Sequence, residues 1–209
     1  MTEISELSAR LAEGVAGLSL PVSVAQHERL LAFLALLRKW GKTYNLTGIR
    51  DDCSAVDLHL LDSLVVSPYL HGQRILDVGT GAGLPGIPLA IVNESKQFVL
   101  LDCSAKKIRF VRQAIIELGL RNAEAVAARV EEVSADSGFD SVLSRAFSSL
   151  ADIRQRTQRL LAPGGRILAM KGRAPLEEIR ELTGAEIGIH PLSWPGMAVE
   201  RHLIVMGAD

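Results

Sequence analysis

Cysteine is scarce in this chain: only Cys53 and Cys103 occur among 209 residues. There is no Cys-x-x-Cys pair and no His/Cys cluster. Neither a disulfide framework nor a metal site is therefore expected, and two unrelated thiols suit a reducing compartment. Aromatic residues make up 4% of the chain, too few for a platform that stacks several bases of a single strand. No sign of charge dominates either. The net charge is −1 and the pI about 6.5, which gives no global field for drawing in nucleic acid. Any contact with RNA must come from a local patch. Long hydrophobic runs are missing too. The longest nearly uncharged stretch, Val78 to Lys96, is broken by glycine and proline, whereas a membrane span needs about 20 clean apolar residues. The opening MTEISELSAR carries acids and a base before any apolar run, unlike a secretory leader. A soluble, cytoplasmic protein with no membrane contact is expected.

What is present is an ordinary core-forming composition, 48% hydrophobic and 22% charged, at a length that fits one domain. From Arg74 onward, strand-like runs at 74–79, 97–102, 123–128, 139–144, 166–171, 185–190 and 201–206 alternate with helical patterns. The helices are expected at about 85–93, 105–118, 149–161 and 175–183. That alternation reads as an α/β fold, a mostly parallel sheet with helices on both faces. The last two strands are joined by a loop containing Pro191, Pro195 and Gly196; with no helix between them they should pair antiparallel. Gly164-Gly165 reads as a helix stop and a turn into the next strand. Before Arg74, Leu30, Phe33, Leu34, Leu37 and Gly41 recur at helical spacing, and helical character resumes from His59 to Val66 after a loop around Asn45–Asp52. Residues 1–73 are thus expected to form a helical cap over one sheet edge, in the same domain as a core spanning 74–209.

The most informative segment is Ile75-Leu76-Asp77-Val78-Gly79-Thr80-Gly81-Ala82-Gly83-Leu84-Pro85-Gly86. A strand ends in an acid, and a glycine-rich turn then feeds a helix. Gly79, Gly81 and Gly83 can take positive φ and let a ligand approach the backbone, at the carboxyl end of the first strand, where open α/β sheets bind ligands. Two cofactors compete for such a loop. Gly81 to Gly86 matches the dinucleotide fingerprint Gly-x-Gly-x-x-Gly, but an acid just before it would repel a pyrophosphate. Asp77 instead suits the positively charged amino-acid end of S-adenosylmethionine, or it simply caps the turn. Asp102 closes the second strand 23 positions after Gly79, near the roughly 20 expected for a ribose-binding carboxylate; its other reading is a helix cap for Ala105 onward.

Along nearly its whole length the chain resembles the bacterial small-subunit ribosomal RNA guanine-N7 methyltransferases, also called glucose-inhibited division protein B. The shared segments include Trp40, Tyr44-Asn45-Leu46-Thr47-Gly48-Ile49-Arg50, His59-Leu60-Leu61-Asp62-Ser63-Leu64, and the loop from Leu76 to Leu89. Further on are Arg129-Val130-Glu131-Glu132, Ser144-Arg145-Ala146-Phe147, Met170-Lys171-Gly172 and Glu200-Arg201-His202. The resemblance implies a Rossmann-like class I methyltransferase sheet with an antiparallel last strand and a helical N-terminal cap. It implies S-adenosylmethionine as cofactor and 16S ribosomal RNA, free or in the small-subunit particle, as partner. It implies methyl transfer to N7 of guanine 527, with cofactor contacts at Gly79, Leu84, Val130, Glu131 and Arg145. Leu84 stands where an aromatic is common in the family, and Val130 where alanine is usual.

The residues agree with an N7 acceptor. Ser144-Arg145-Ala146-Phe147 occupies the slot where amino-group methyltransferases often carry Asn/Asp-Pro-Pro-aromatic, and neither cysteine stands where a cytosine-C5 enzyme needs its nucleophile. Guanine N7 is an exposed lone pair with no proton to remove, so no general base is expected. Arg129, Lys171 and Arg201, with Arg145, are expected on one rim, where they fit an RNA phosphate backbone; Arg145 alternatively pairs with Asp77 or with the cofactor carboxylate. Lys106, Lys107, Arg109 and Arg112 read as a solvated helix face. The competing readings are a methyltransferase acting on a small molecule or protein, a non-catalytic RNA-binding or ribosome-assembly module on the same fold, and, least favoured, a nicotinamide dehydrogenase.

Overall fold

The computed structural model describes residues 3–44, 52–134, 137–145, 149–182 and 186–207. Asn45 to Arg50, Ala146 and Phe147, singled out above, lie outside the described residues. Seven strands form one sheet in the order β3-β2-β1-β4-β5-β7-β6. They are β1 (Arg74–Val78), β2 (Gln97–Asp102), β3 (Ala123–Ala127), β4 (Phe139–Ser144), β5 (Leu161–Lys171), β6 (Ile187–Pro191) and β7 (His202–Gly207). Neighbours from β3 to β5 pair in parallel, while β7 runs antiparallel to both β5 and β6. The central strands are buried on both faces, so they read as continuous apolar runs instead of alternating ones.

Both faces of the sheet are covered. Ile75, Phe98, Leu100, Leu143, Leu168, Met170 and Leu203 point to one side. There they meet α5 (Gly86–Val92), α6 (Ala105–Glu117) and the N-terminal helices α1 (Glu3–Gly17) and α2 (Val24–Tyr44). Leu76, Val78, Leu101, Val142, Ile167, Ala169, Ile204 and Met206 point to the other, covered by α7 (Leu150–Thr157) and, through Ile179, by α8 (Leu176–Glu181). The N-terminal helices therefore lie over a face of the sheet, not along its edge. The reason is the stripe Leu30, Phe33, Leu34 and Leu37 of α2, all buried: a three-to-four spacing makes one apolar face. Phe33 and Trp40 reach the Phe110 ring of α6, at centroid distances of 6.5 and 5.6 Å.

Two local expectations change. Strand β5 begins at Leu161, five residues early, because Leu161 already pairs with Phe139 before the register shifts toward Ser141. Gly164-Gly165 therefore sits inside an irregular strand, where Gly165 lets the Phe139 and Ala162 carbonyls approach, a use of glycine typical of bulges. The helix before β1 is also not uniform. Between α3 (Asp52–Ala55) and α4 (Asp62–Leu64) lies one π-helical turn, Val56–Leu61.

Candidate active site at the carboxyl edge of the sheet

The chain reverses its winding direction between β1 and β4, and ligand sites of open α/β sheets lie beyond the carboxyl ends of strands at such a point. β1 delivers Asp77 there, fully buried. Its Oδ2 accepts hydrogen bonds from Thr80 Oγ1 at 2.6 Å and from the Gly86 amide at 2.9 Å. The carboxylate thus ties both ends of the glycine loop together from beneath. Its Oδ1 has no partner among the described residues. Burial pushes the Asp77 carboxyl up to about 6, against the downward pull of the Thr80 and Gly86 hydrogen bonds and of the Arg145 charge.

The loop above this carboxylate is held open. Gly79 and Thr80 donate their amides to the Leu101 carbonyl at 2.8 and 2.9 Å, hooking the loop onto β2. Gly79 and Gly81 have φ of 73° and 59°. A Cβ at Gly79 would meet nothing within 4 Å, and one at Gly81 only the Gly79 carbonyl at 3.9 Å. Both positions look out on free space. Gly83 differs, since a Cβ there would collide with Ile87; its role is packing of the loop onto α5. Leu84 is buried beside it, and Pro85 caps α5 from just outside the helix.

Asp102 closes β2 and serves two loops. Oδ2 accepts the Gly81 amide at 2.9 Å, and Oδ1 accepts the Ser104 amide at 2.8 Å. The N-cap of α6 is Ser104, whose hydroxyl takes the Lys107 amide, so Asp102 is not itself the cap. Lys107 stands 3.8 Å from its carboxylate. Beside Asp102 opens a cavity of about 240 Å³ lined by Val78, Gly79, Leu101, Asp102, Cys103 and the segment Ala128 to Glu131, with Arg156 from α7. Val130 and Glu131, expected at the site, lie in this wall. Cys103, Ala128 and Arg156 had no motif to mark them. Arg156 bonds Glu131 and Asp152, and only the fold brings α7 beside the turn after β3. The Glu131 carboxyl is held below its ordinary range first by its own backbone amide, then by Arg156.

The four cations expected on one rim stand at the carboxyl edge, at the ends of β3, β4 and β5 and before β7, but acids engage three of them. Arg129 is exposed at the cavity wall. Lys171 bonds Glu178 of α8 at 3.1 Å. Arg145 pairs not with Asp77 but with Asp62, at 3.3 Å, and Arg201 reaches the same carboxylate at 2.7 Å. His59 is buried close by, and neither ring nitrogen has a partner among the described residues. Burial first, and the Arg145 charge second, lower its pKa to about 4, so it is neutral. Ser144 Oγ, at the end of β4, is likewise buried without a partner among the described residues. Orphaned buried polar atoms are rare and call for a physical reason; here they cluster around the ends of β1 and β4.

Comparison with known proteins gives the chain a family. A family model described as rRNA small subunit methyltransferase G matches residues 26–204. The chain is 56% identical over 194 residues to the ribosomal RNA small subunit methyltransferase G of Methylococcus capsulatus, covering 92% of this chain and 95% of the relative. It is 47% identical to that of Shewanella amazonensis, covering 95% and 97%. Among solved structures, a SAM-dependent methyltransferase from Aquifex aeolicus superposes with a TM-score of 0.59 at 17% identity, covering 84% of this chain and 98% of that one; this likeness shows the fold alone. On its sequence, the chain belongs to the rRNA small subunit methyltransferase G family.

Proposed function

We propose that the chain transfers the methyl group of S-adenosylmethionine to N7 of a guanine in 16S ribosomal RNA, at position 527, in the cytoplasm. The observation that carries the reading is the pair Gly79 and Gly81, whose missing side chains face free space beside a cavity walled by Asp102, Val130 and Glu131. That cradle fits a nucleoside. Asp102 has carboxylate lone pairs left after its two amide bonds, suited to ribose hydroxyls, and the wall of Val130 and Glu131 suits the adenine. Gly83 and Leu84 keep the loop in shape. The unpaired Asp77 Oδ1 lies beneath it, and a cationic ligand end above would offset that charge. Arg145 suits the carboxylate of the methionine portion. A dinucleotide pyrophosphate gains nothing from an acid in this position.

When bound, the cofactor supplies an electrophilic methyl on a sulfonium. The protein's part is positioning. Guanine N7 carries a lone pair and no proton, so holding it in line at roughly 3–3.5 Å from its target is the main requirement. No side chain has to remove a proton. The neutral state of His59 suits an edge where the product base becomes cationic. Arg129 is favoured for a phosphate contact because it is exposed at the cavity wall. Lys171 and Arg201 already face acids, Glu178 and Asp62, so any part they take in RNA binding is shared with those partners. The test is tritium transfer from methyl-labelled S-adenosylmethionine to small-subunit particles. The reading expects label that RNase removes; label that survives RNase and follows protein would favour a protein acceptor instead.

A further inference from the structure

The π-helical turn Val56–Leu61 stands alone in an otherwise α-helical run, and such insertions recur at functional sites. It sends two carboxylates to different parts of the fold. Asp57 holds Arg10 of α1 and receives Trp194 Nε1 at 3.3 Å, fastening the N-terminal helices to the loop before β7. Asp62, directly after the turn and 1% exposed, works on the carboxyl edge. Its Oδ1 accepts Arg201 Nε at 2.7 Å, and its Oδ2 accepts Arg145 Nη1 at 3.3 Å. Arg145 Nη1 also reaches the Leu58 carbonyl of the turn at 3.3 Å. Arg145 follows β4 and Arg201 precedes β7, and these strands flank β5 without touching each other. One buried carboxylate therefore ties two strand ends that the sheet leaves apart. A buried charge is costly unless fully paired, so the arrangement is poor as a source of stability and good as a device that fixes two guanidinium groups. Between Asp57 and Asp62 sits His59, buried and without hydrogen-bond partners among the described residues.

We propose that Asp62 is a positioning residue of the methyl-transfer site: it sets Arg145 toward the methionine end of the cofactor and ties it to Arg201 on the acceptor side. This rests on the reading of Arg145 as a cofactor contact given above. Groups in one charged network couple strongly and non-additively; at metal sites, removing the partner that orients a ligand costs on the order of tenfold or more in affinity, and a loss of that order is expected for Asp62.

The experiment measures S-adenosylmethionine affinity by calorimetry for the wild-type chain, Asp62→Asn, Arg145→Met and the double variant, with a thermal melt of each. Asp62→Asn should weaken binding by on the order of tenfold. The double variant should bind no worse than Arg145→Met alone, because Asp62 acts through Arg145. Unchanged affinity in Asp62→Asn, or losses that add in the double variant, would overturn the proposal; the second pattern is what a merely structural role gives. If Asp62→Asn does not fold, Asp62→Glu keeps the charge and displaces it by one methylene. Weaker binding that vanishes in the Arg145→Met background supports the proposal, and wild-type affinity overturns it. A wild-type chain that bound no S-adenosylmethionine would remove the cofactor reading and this one together, whereas normal wild-type binding with an indifferent Asp62→Asn removes this one alone.

Discussion

Substituting Gly81 and Gly86 separates ligand space from packing space within one loop. Gly81 has φ of 59°, and a Cβ there would approach only the Gly79 carbonyl, at 3.9 Å. Gly81→Ala therefore strains the backbone by about 1–2 kcal/mol and collides with nothing in the protein. For a chain of this length each kcal/mol lowers Tm by about 2–4 °C, so the fold survives. On the proposed reading, a methyl group at Gly81 nevertheless intrudes on the space left for the cofactor. Overpacking of about 1–3 kcal/mol corresponds to a loss of roughly fivefold to more than a hundredfold in affinity. Gly81→Asp adds a negative charge close to Asp102, whose Oδ2 accepts the Gly81 amide, and should abolish binding. Gly86 reverses the pattern: its φ is ordinary, but a Cβ would lie 2.2 Å from Leu100 Cδ2 and 2.7 Å from Asp77 Oδ2. Gly86→Ala should lower Tm more than Gly81→Ala does. Thermal melts without ligand and calorimetric titration with S-adenosylmethionine read the two effects separately. Wild-type affinity in Gly81→Ala, or a wild-type melt in Gly86→Ala, would refute the reasoning.

Acid should uncover two opposed ionisations. His59 is lowered from 6.5 to about 4, so its contribution, up to about 3 kcal/mol, is lost as pH falls through that window. Asp77 is raised from 3.8 to about 6, so its contribution is present at low pH and lost, by up to about 3 kcal/mol, as pH rises through about 4 to 6. In urea unfolding, Asp77→Asn should therefore gain stability steeply between pH 4 and 6, and His59→Gln should lose it; parallel pH profiles for the two variants would count against both assignments. Asn122 lies far from the chemistry, and its Nδ2 serves the carbonyls of Ala90, Asn93 and Lys96 at 3.0, 3.2 and 3.1 Å. Asn122→Ala should cost about 1–3 kcal/mol through unsatisfied buried carbonyls and leave S-adenosylmethionine affinity alone; a drop in affinity of the folded variant would contradict that division.

Much of this was readable from the chain because the decisive signals are local. The runs ending at Asp77 and Asp102, the glycine spacing and the antiparallel final strand follow from patterns a few residues wide. What was hidden depends on long-range meeting. Arg145, Arg201 and Asp62 are far apart in sequence, and nothing near Arg201 signals that its partner is an acid ahead of β1. Arg156 entered the cavity wall for the same reason. The four cations were expected on one rim because strand ends share an edge; what the sequence hid is that Glu178 of α8 and Asp62 after π-helical Val56–Leu61 engage three of them, Lys171, Arg145 and Arg201. The N-terminal helices were expected along an edge because amphipathic spacing gives a buried stripe without saying what it meets.

The most direct test maps N7-methylguanine in 16S ribosomal RNA from cells with and without this protein, by chemical cleavage at the modified base. A single cleavage at guanine 527 that disappears with the protein and returns with its expression is the predicted result. Cleavage at that guanine in both cell lines, or in neither, would contradict the account.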